Sequence, residues 1–447
     1  MNFERMKNAL VRAAQSMGLE QYEIYAQTGE SVSVETLKDE VSSFVFGTEG
    51  GICFRCIVDG KMGYASGELM TEEAMEDLVR AAISNARCID NEDEVFIFKG
   101  SPAYETVDLA PAVLADAAQV RATALELQKA TYAASDKVGD GTQSVALSFT
   151  AEEHLYNSHG LSLSNRVGLR GAYVAPVVRD GDEAQNHTEF ALGMGFESLS
   201  DLPQKAVCGA LDKLGAVTVP SGKYDVIFDG KQFRGFLSAF SGVFSAKNAQ
   251  QGLSLLAGKE GSAVAASCVT LTDDPMRKGS PMQTPFDGEG VATARRCVIE
   301  NGTLKTLLYD LTTAAKAGVA STGNGQKGSY AAPVSIAPYN FSVAPGTLTE
   351  EELFAQTPDG IYITECKGFH AGANEVTGDF SIESAGFRIR NGKRAEPIKS
   401  FTVAGNFFDL LKAIDLIAND VKWGIPRGYT VFGSPSLRVR NMSIAGD

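Results

Sequence analysis

Histidine is the scarcest chemical resource in this chain, with four residues in 447, at His154, His159, His187 and His370. A centre that needs several converging imidazoles has little to draw on. Apolar runs are also short: none reaches the roughly 18 residues that a membrane-spanning helix requires. Excess positive charge is missing, since 40 Lys+Arg stand against 55 Asp+Glu for a net charge of −15, with no run of like sign. That balance disfavours direct binding to nucleic acid or to an anionic membrane. The seven cysteines are odd in number and scattered, which suits reduced, cytoplasmic usage rather than a disulfide framework. The opening residues mix Glu4, Arg5 and Lys7 with apolar ones and lack the uninterrupted apolar core of a signal peptide. No phosphate loop, Gly-x-Ser-x-Gly elbow or His-Glu-x-x-His motif occurs.

What is present is an ordinary globular composition, 44% hydrophobic and 21% charged, long enough for two domains. Phe3, Met6, Leu10, Ala13 and Met17 recur at helical steps and predict an opening helix. Alternating Val32/Val34 and Phe44/Phe46, followed by Ile52–Val58 and an Asp59-Gly60 turn, predict antiparallel hairpins. Two helices are expected next, one capped by Thr71 and one with Pro111 near its start and Val113 on its apolar face. Alternation returns from Val145 to Phe190, and a helix spans Ser198–Leu214. Beyond a Pro/Gly/Ser break, Asn301-Gly302 and Asn391-Gly392 mark hairpins. Only two helices, Lys231–Lys247 and Asn406–Ala418, are expected in this second half. The fold class is therefore α+β, with an N-terminal α/β domain of antiparallel strands and helices over 1–217 and a β-rich C-terminal domain with few helices over 218–447.

Few constellations carry chemistry. Cys53 and Cys56 are three apart on a predicted strand, so their thiols point to opposite faces and pack rather than bind. His154 and His159 flank a turn, and His187 has no partner near it in sequence. Glu365, Cys366 and His370 form the one compact acid, thiol and imidazole group. They are weak candidates for a nucleophilic pair or for metal ligands.

Phrases in the second half bring in a resemblance. They include Ser245-Ala-Lys-Asn-Ala-Gln-Gln-Gly-Leu-Ser254, Leu271-Thr-Asp-Asp-Pro275, Pro285-Phe-Asp-Gly-Glu-Gly290, Ser321-Thr-Gly-Asn324, Thr377-Gly-Asp-Phe-Ser381 and Val403-Ala-Gly-Asn406. In this order and spacing the chain resembles the TldD/PmbA family, also called the modulator of DNA gyrase family, and within it the TldE (PmbA) branch. The resemblance implies an N-terminal α/β domain, a β-rich C-terminal domain and a cytoplasmic TldD–TldE heterodimer that cleaves peptides with zinc. The TldD branch places His-Glu-x-x-x-His on a helix early in the C-terminal domain, with a cysteine near the C-terminus. The matching helix here is Phe233–Phe244, which offers Ser238 and Ser241 instead, and no thiol follows Cys366.

The expectation is thus a subunit with no catalytic residues and no cofactor of its own. Zinc is expected in a TldD-like metallopeptidase partner, and peptides are the substrate. Asn157, Ser158, Thr377, Gly378, Asp379, Phe380 and Ser381 are candidates for peptide or interface contact. The alternatives are a stand-alone peptide-binding or interaction protein, a homodimer or a topoisomerase-associated factor, and a hydrolase built around Cys366 and His370.

Overall fold

The computed structural model describes residues 3–38, 40–90, 93–196 and 199–447. The chain divides into two compact units, each assembled from more than one stretch. Unit 1 holds residues 1–211, 278–293 and 310–335; unit 2 holds 212–277, 294–309 and 336–447.

Unit 1 opens with α1 (Phe3–Ser16), whose buried Met6, Ala9, Leu10 and Ala13 follow the predicted stripe. Three antiparallel strands come next: β1 (Tyr22–Leu37), β2 (Glu40–Val58) and β3 (Lys61–Gly67). Asp59 and Gly60 turn β2 into β3 with φ of 51° and 75°, the left-handed pair of a tight hairpin. Thr71 caps α2 (Glu72–Cys88) by accepting from the Ala74 N–H.

The next helix, α3, runs Ala117–Ala133 and starts later than the Pro111 signal suggested. Asp116 accepts from the Ala118 and Gln119 N–H groups. That side-chain cap outcompetes proline as the start signal, so Val113 stays outside the helix and exposed. β4 (Gln143–Asn157) and β5 (Ser162–Ala175) follow, then a small hairpin, β6 (Val177–Asp180) and β7 (Glu183–Asn186), and β8 (Glu189–Gly193). The last helix, α4, covers Leu202–Leu211; Ser198, where it was expected to begin, lies outside the described residues.

The main sheet has the order β3-β2-β1-β4-β5-β8. Five even-numbered β1 residues join helix-covered cores: Tyr22, Ile24 and Ala26 cluster with residues of α1 and α2, and Val32 and Val34 with residues of α3 and α4. The opposite face buries Tyr25, Cys53 and Leu155 against Phe286. Cys53 and Cys56 therefore belong to different cores, as strand alternation requires.

Unit 2 begins with β9 (Gly222–Phe228) and α5 (Gly230–Ala239). β9 is one of five strands closed into a ring. It pairs in parallel with Asp359–Lys367, which pairs with Asp379–Arg390, then with Lys393–Asn406 and Leu437–Ala445; the last returns to β9. A second sheet has Leu271–Asp273 and Asn340–Val343 at its centre. Asn301-Gly302 and Asn391-Gly392 turn their hairpins with positive φ at both residues.

Two long helices expected here are shorter. The first breaks after Ala239 into a 3-10 turn, Ser241–Phe244, and a short helix, Ala246–Gln250. Ser245 caps the latter by accepting from the Asn248 N–H, so a capping residue inside the apolar stripe restarts the helix. The second covers only Phe407–Ala413, because Ile414–Ile417 instead pairs with Leu437–Val439. Short helices also occur at Leu311–Ala317, Glu350–Ala355 and Phe369–Gly372, each too brief to show a periodic stripe. Among the described residues no helix is long and apolar enough to cross a membrane.

α5 is held by aromatic rings. Phe236 lies 5.0 Å from Phe380, 5.0 Å from Phe369 and 5.3 Å from Phe228, and Phe240 stacks on Phe407 at 4.5 Å. Truncating a buried Phe with such neighbours costs about 3–5 kcal/mol. Phe236→Ala should therefore shift the denaturant midpoint strongly downward when unfolding is followed by fluorescence of the single tryptophan, Trp423, which lies in unit 2. A midpoint within error of the parent would contradict this packing account.

Candidate functional site

The residues that could carry chemistry in unit 2 gather around α5. Phe233, Phe236 and Leu237 form its buried stripe, which leaves Arg234 and Ser238, one turn apart, on another face. The helix stops at Phe240, whose backbone leaves the helical region. At that end the Ser241 hydroxyl donates to the Ser238 carbonyl at 3.1 Å, and Arg427 Nη1 donates to Ser238 Oγ at 3.2 Å. The Gly242 N–H donates to Glu375 Oε1 at 2.5 Å, and a side chain at position 242 would collide with that carboxylate. Arg234 Nη1 donates to the Trp423 carbonyl at 2.5 Å.

These donors do not suit zinc, which takes imidazole nitrogen, thiolate or carboxylate converging at about 2.0–2.3 Å. Ser238 and Ser241 present neutral hydroxyls, one of them already bound by a guanidinium, and Glu375 is committed to a backbone N–H. A fixed positive charge at Ser238 opposes a cation there. Among the described residues no group of three or more His, Cys, Asp or Glu is placed to hold a metal ion.

The start of α5 is a polar bracket that the sequence did not announce. Asp229 caps the helix through Oδ1, which accepts from the Lys231 N–H at 2.7 Å. Its Oδ2 accepts from Lys422 Nζ at 2.8 Å and from the Tyr362 hydroxyl at 2.7 Å. Lys422 also meets Asp420 at 3.0 Å and Glu350 at 3.3 Å. Ser436 closes the set, donating its hydroxyl to Asp420 Oδ2 at 2.8 Å.

Burial alone would lower the lysine's pKa, but Asp229 first, then Glu350 and Asp420, hold it above its ordinary value. Burial raises Tyr362, and the Asp229 and Glu350 charges push it further. Burial also raises Glu350, aided by its acidic neighbours. Against the same burial, the Ser436 N–H and Lys422 keep Asp420 low. Lys422 and Tyr362 both keep their protons at neutral pH, so neither can act as a base there. The bracket holds structure.

The Glu365, Cys366 and His370 group is not drawn together. Glu365 is gripped by Lys213 at 2.7 Å and Lys367 at 2.5 Å, which outweigh its burial and hold its pKa low. Cys366, its strand neighbour, lies 3.6 Å from the Ser384 hydroxyl, and burial pushes its thiol up to about 12. A nucleophilic cysteine needs the opposite shift. His370 sits on the exposed one-turn helix Phe369–Gly372, and no hydrogen bond joins it to Cys366 or Glu365 among the described residues.

The remaining candidates divide. In unit 1, Asn157 is fully buried, donates to the Phe98 carbonyl at 2.6 Å and accepts from the His159 and Leu161 N–H groups. Ser158 Oγ accepts from the Tyr22 N–H at 3.1 Å. In unit 2, Gly378 takes φ +82°, and Phe380 is buried against α5. Thr377, Asp379 and Ser381 are exposed. Asn406 Nδ2 donates both to the Thr377 carbonyl and to Asp379 Oδ1, at 2.9 Å each, and with Thr377 lowers the Asp379 pKa.

Comparison with known proteins matches residues 221–446 to the PmbA/TldA metallopeptidase C-terminal domain, 22–86 to domain 1 of that metallopeptidase and 111–214 to its central domain. A metalloprotease of Methanothermobacter thermautotrophicus is 29% identical over 324 residues, covering 69% of this chain and 71% of the relative. The metalloprotease PmbA homolog of Haemophilus influenzae is 27% identical, covering 88% and 86%. Among solved structures, a putative modulator of a DNA gyrase from Thermotoga maritima superposes with TM-score 0.90 at 28% identity, covering 99% of this chain and all of that one. TldE from Thermococcus kodakarensis shares the fold, with TM-score 0.89 at 21% identity.

Removing the cation from the bracket leaves three carboxylates facing one another. Lys422→Met should destabilise unit 2 by about 3 kcal/mol at pH 7. The lysine's raised pKa means that its contribution is complete at neutral pH and is lost only on strong alkalinisation. The depressed Asp420 makes the parent lose stability as pH falls through the carboxylate range, so the gap between parent and variant should narrow on acidification. Urea titrations at neutral and acid pH check both statements; equal stability at pH 7 would overturn the bracket's structural role.

Proposed function

The chain belongs to the PmbA/TldD metallopeptidase family, and from that premise we propose that it is the non-catalytic, TldE-like subunit of a cytoplasmic peptidase complex whose zinc is carried by a TldD-like partner. The observation that carries this reading is the end of α5. The helix that matches the family's metal-binding one offers the hydroxyls of Ser238 and Ser241 and no imidazole, and Arg427 donates to the Ser238 hydroxyl. The chain retains the family's scaffold around a helix whose chemistry no longer suits a divalent cation. Peptides remain the substrate class. The ring strand Asp379–Arg390 presents Asp379 and Ser381 outward, where an extended peptide could be held through polar contacts.

A hydrolase centred on Cys366 is the weaker reading, because its thiol is buried and held protonated.

Metal analysis of the purified chain should give zinc far below one equivalent and no peptidase activity. Activity should appear on adding a homologue that bears His-Glu-x-x-x-His. Stoichiometric zinc with peptidase activity in the chain alone would reject the proposal. Within the active complex, Asp379→Ala should leave assembly intact and lower turnover severalfold; unchanged turnover would reduce Asp379 to a loop-former that holds Asn406.

A further inference from the structure

Lys327 buries its side-chain nitrogen in unit 1 without a counter-charge. It ends the short strand Gly325–Lys327 and is 2% exposed. Nζ lies 5.0 Å from the centre of the Tyr25 ring and 4.9 Å from that of Tyr64. It donates to the Ala332 carbonyl at 3.5 Å and toward Cys53 Sγ at 3.4 Å. Among the described residues no carboxylate pairs with it. The acids of this core are engaged elsewhere: Glu153 accepts from the Tyr25 hydroxyl, Asp287 from three backbone N–H groups, and Glu289 faces Arg55. An ammonium so placed is costly, and two aromatic faces offset only part of that cost.

The packing aims the lysine at the sulfur. Gly288 lies along its stem, where an added Cβ would come within 2.9 Å of Lys327 Cγ. Tyr64 stays over the nitrogen because its hydroxyl donates to the Tyr330 carbonyl at 2.6 Å. Cys53 is fully buried, and the other buried cysteine, Cys56, belongs to the core on the opposite face of the sheet. A disulfide between the two is therefore closed to Cys53. Thiolates are the forms that react, and an ammonium in contact is the kind of neighbour that supports one.

We propose that Cys53 and Lys327 are a site of oxidative cross-linking, in which hydrogen peroxide converts the thiol to a sulfenic acid and the lysine nitrogen then displaces its oxygen to form an S–N bond. In the first step sulfur gives up two electrons and takes one peroxide oxygen, and the other oxygen leaves as water. In the second, the lysine passes one proton to solvent and its nitrogen attacks the sulfenic sulfur. The S–O bond breaks, and the departing hydroxide takes a further N–H proton and leaves as a second water. The bridge holds two hydrogens fewer than the thiol and free amine. Condensation of a sulfenic acid with nitrogen has precedent at backbone amides. Peroxide is close to water in size and glutathione is far larger, so closure admits the oxidant, excludes the thiols that would intercept the sulfenic acid and shields the finished bond. Tyr64 does not compete as a nucleophile, because burial and then Cys53 raise its pKa and it keeps its proton.

The bridge would join β2 to the stretch 310–335, both within unit 1. It would close a loop of 274 residues, which restricts the unfolded chain. The inference concerns unit 1 alone and does not depend on the partner subunit proposed above.

Peptide mapping of the purified chain tests it. After a few equivalents of hydrogen peroxide, free thiols are alkylated and the chain is digested without reductant. The peptides holding residues 53 and 327 should appear joined, two hydrogens below their summed mass, and dithiothreitol added to the digest should separate them. The oxidised chain should also unfold at a higher temperature than the reduced one. Lys327→Arg keeps the charge without the amine, and Lys327→Met removes both. Each should lose the joined pair and the gain in thermal midpoint, with Cys53 carried on to sulfinic or sulfonic acid. The proposal is overturned if Cys53 stays reduced after the exposed Cys88, Cys208 and Cys268 have reacted. Sulfinic acid at Cys53 of the parent beside a free Lys327 would overturn it too, as would a bridge to Cys53 that persists in Lys327→Met.

Discussion

Asp229 does two things at once. One carboxylate oxygen starts α5 by satisfying an N–H at its first turn, and the other accepts from Lys422 and Tyr362. The helix start is thereby tied to the ring strand that carries Tyr362 and to the short strand Lys422–Trp423. An N-cap alone contributes about 1 kcal/mol. A carboxylate that also neutralises a largely buried ammonium cannot be removed at that modest cost, because its loss leaves Lys422 with fewer counter-charges in a site of reduced solvent. The position of α5, and so of Ser238 and Ser241 at its far end, rests on this one side chain together with the rings of Phe233, Phe236 and Phe240.

Unit 1 solves a different problem, a sheet covered on both faces. Its helices take one face. The segments 278–293 and 310–335 supply cover for the other, and they are anchored by buried charge. Asp287 accepts from the Glu289, Val291 and Gly325 N–H groups. Glu289 accepts from the Leu311 N–H and lies 3.9 Å from Arg55, which grips Glu23 at 2.7 Å. Burial raises the Glu289 pKa to about 7 against the pull of Arg55. Three backbone donors on one aspartate explain why the phrase Pro285-Phe-Asp-Gly-Glu-Gly290 holds its shape: Gly290 takes φ +85°, and Gly288 lies where an added Cβ would press on the backbone of Lys327.

Much of this was legible in the sequence, and the part that was not shares one physical cause. Local signals worked where the responsible contacts are local. The stripe of α1, the Thr71 cap and the Asp-Gly and Asn-Gly turns are each decided within a few residues. Long apolar stripes misled where a local competitor interrupted them, as Ser245 does by capping a new helix and as Ile414 does by joining a strand. The bracket was invisible because Asp229, the pair Glu350 and Tyr362, and the pair Asp420 and Lys422 come from three separate stretches of the sequence that meet only in the folded unit. The only hint was an aspartate followed by glycine just before an apolar helix.

The Glu365, Cys366 and His370 group shows the converse error that compact spacing invites. Neighbours on a strand point to opposite faces, so Glu365 reaches two lysines while Cys366 turns inward toward Ser384. Closeness in sequence set these groups apart. At α5 the relation runs the other way. Ser238 and Arg427 are distant in the chain, yet they meet at 3.2 Å at the end of the helix. Imidazoles placed at positions 238 and 241 would not by themselves make a zinc site. Arg427 would still set a guanidinium beside position 238, and Glu375 would still accept from the Gly242 N–H. The contacts around this helix end therefore count as much as the residue types on it.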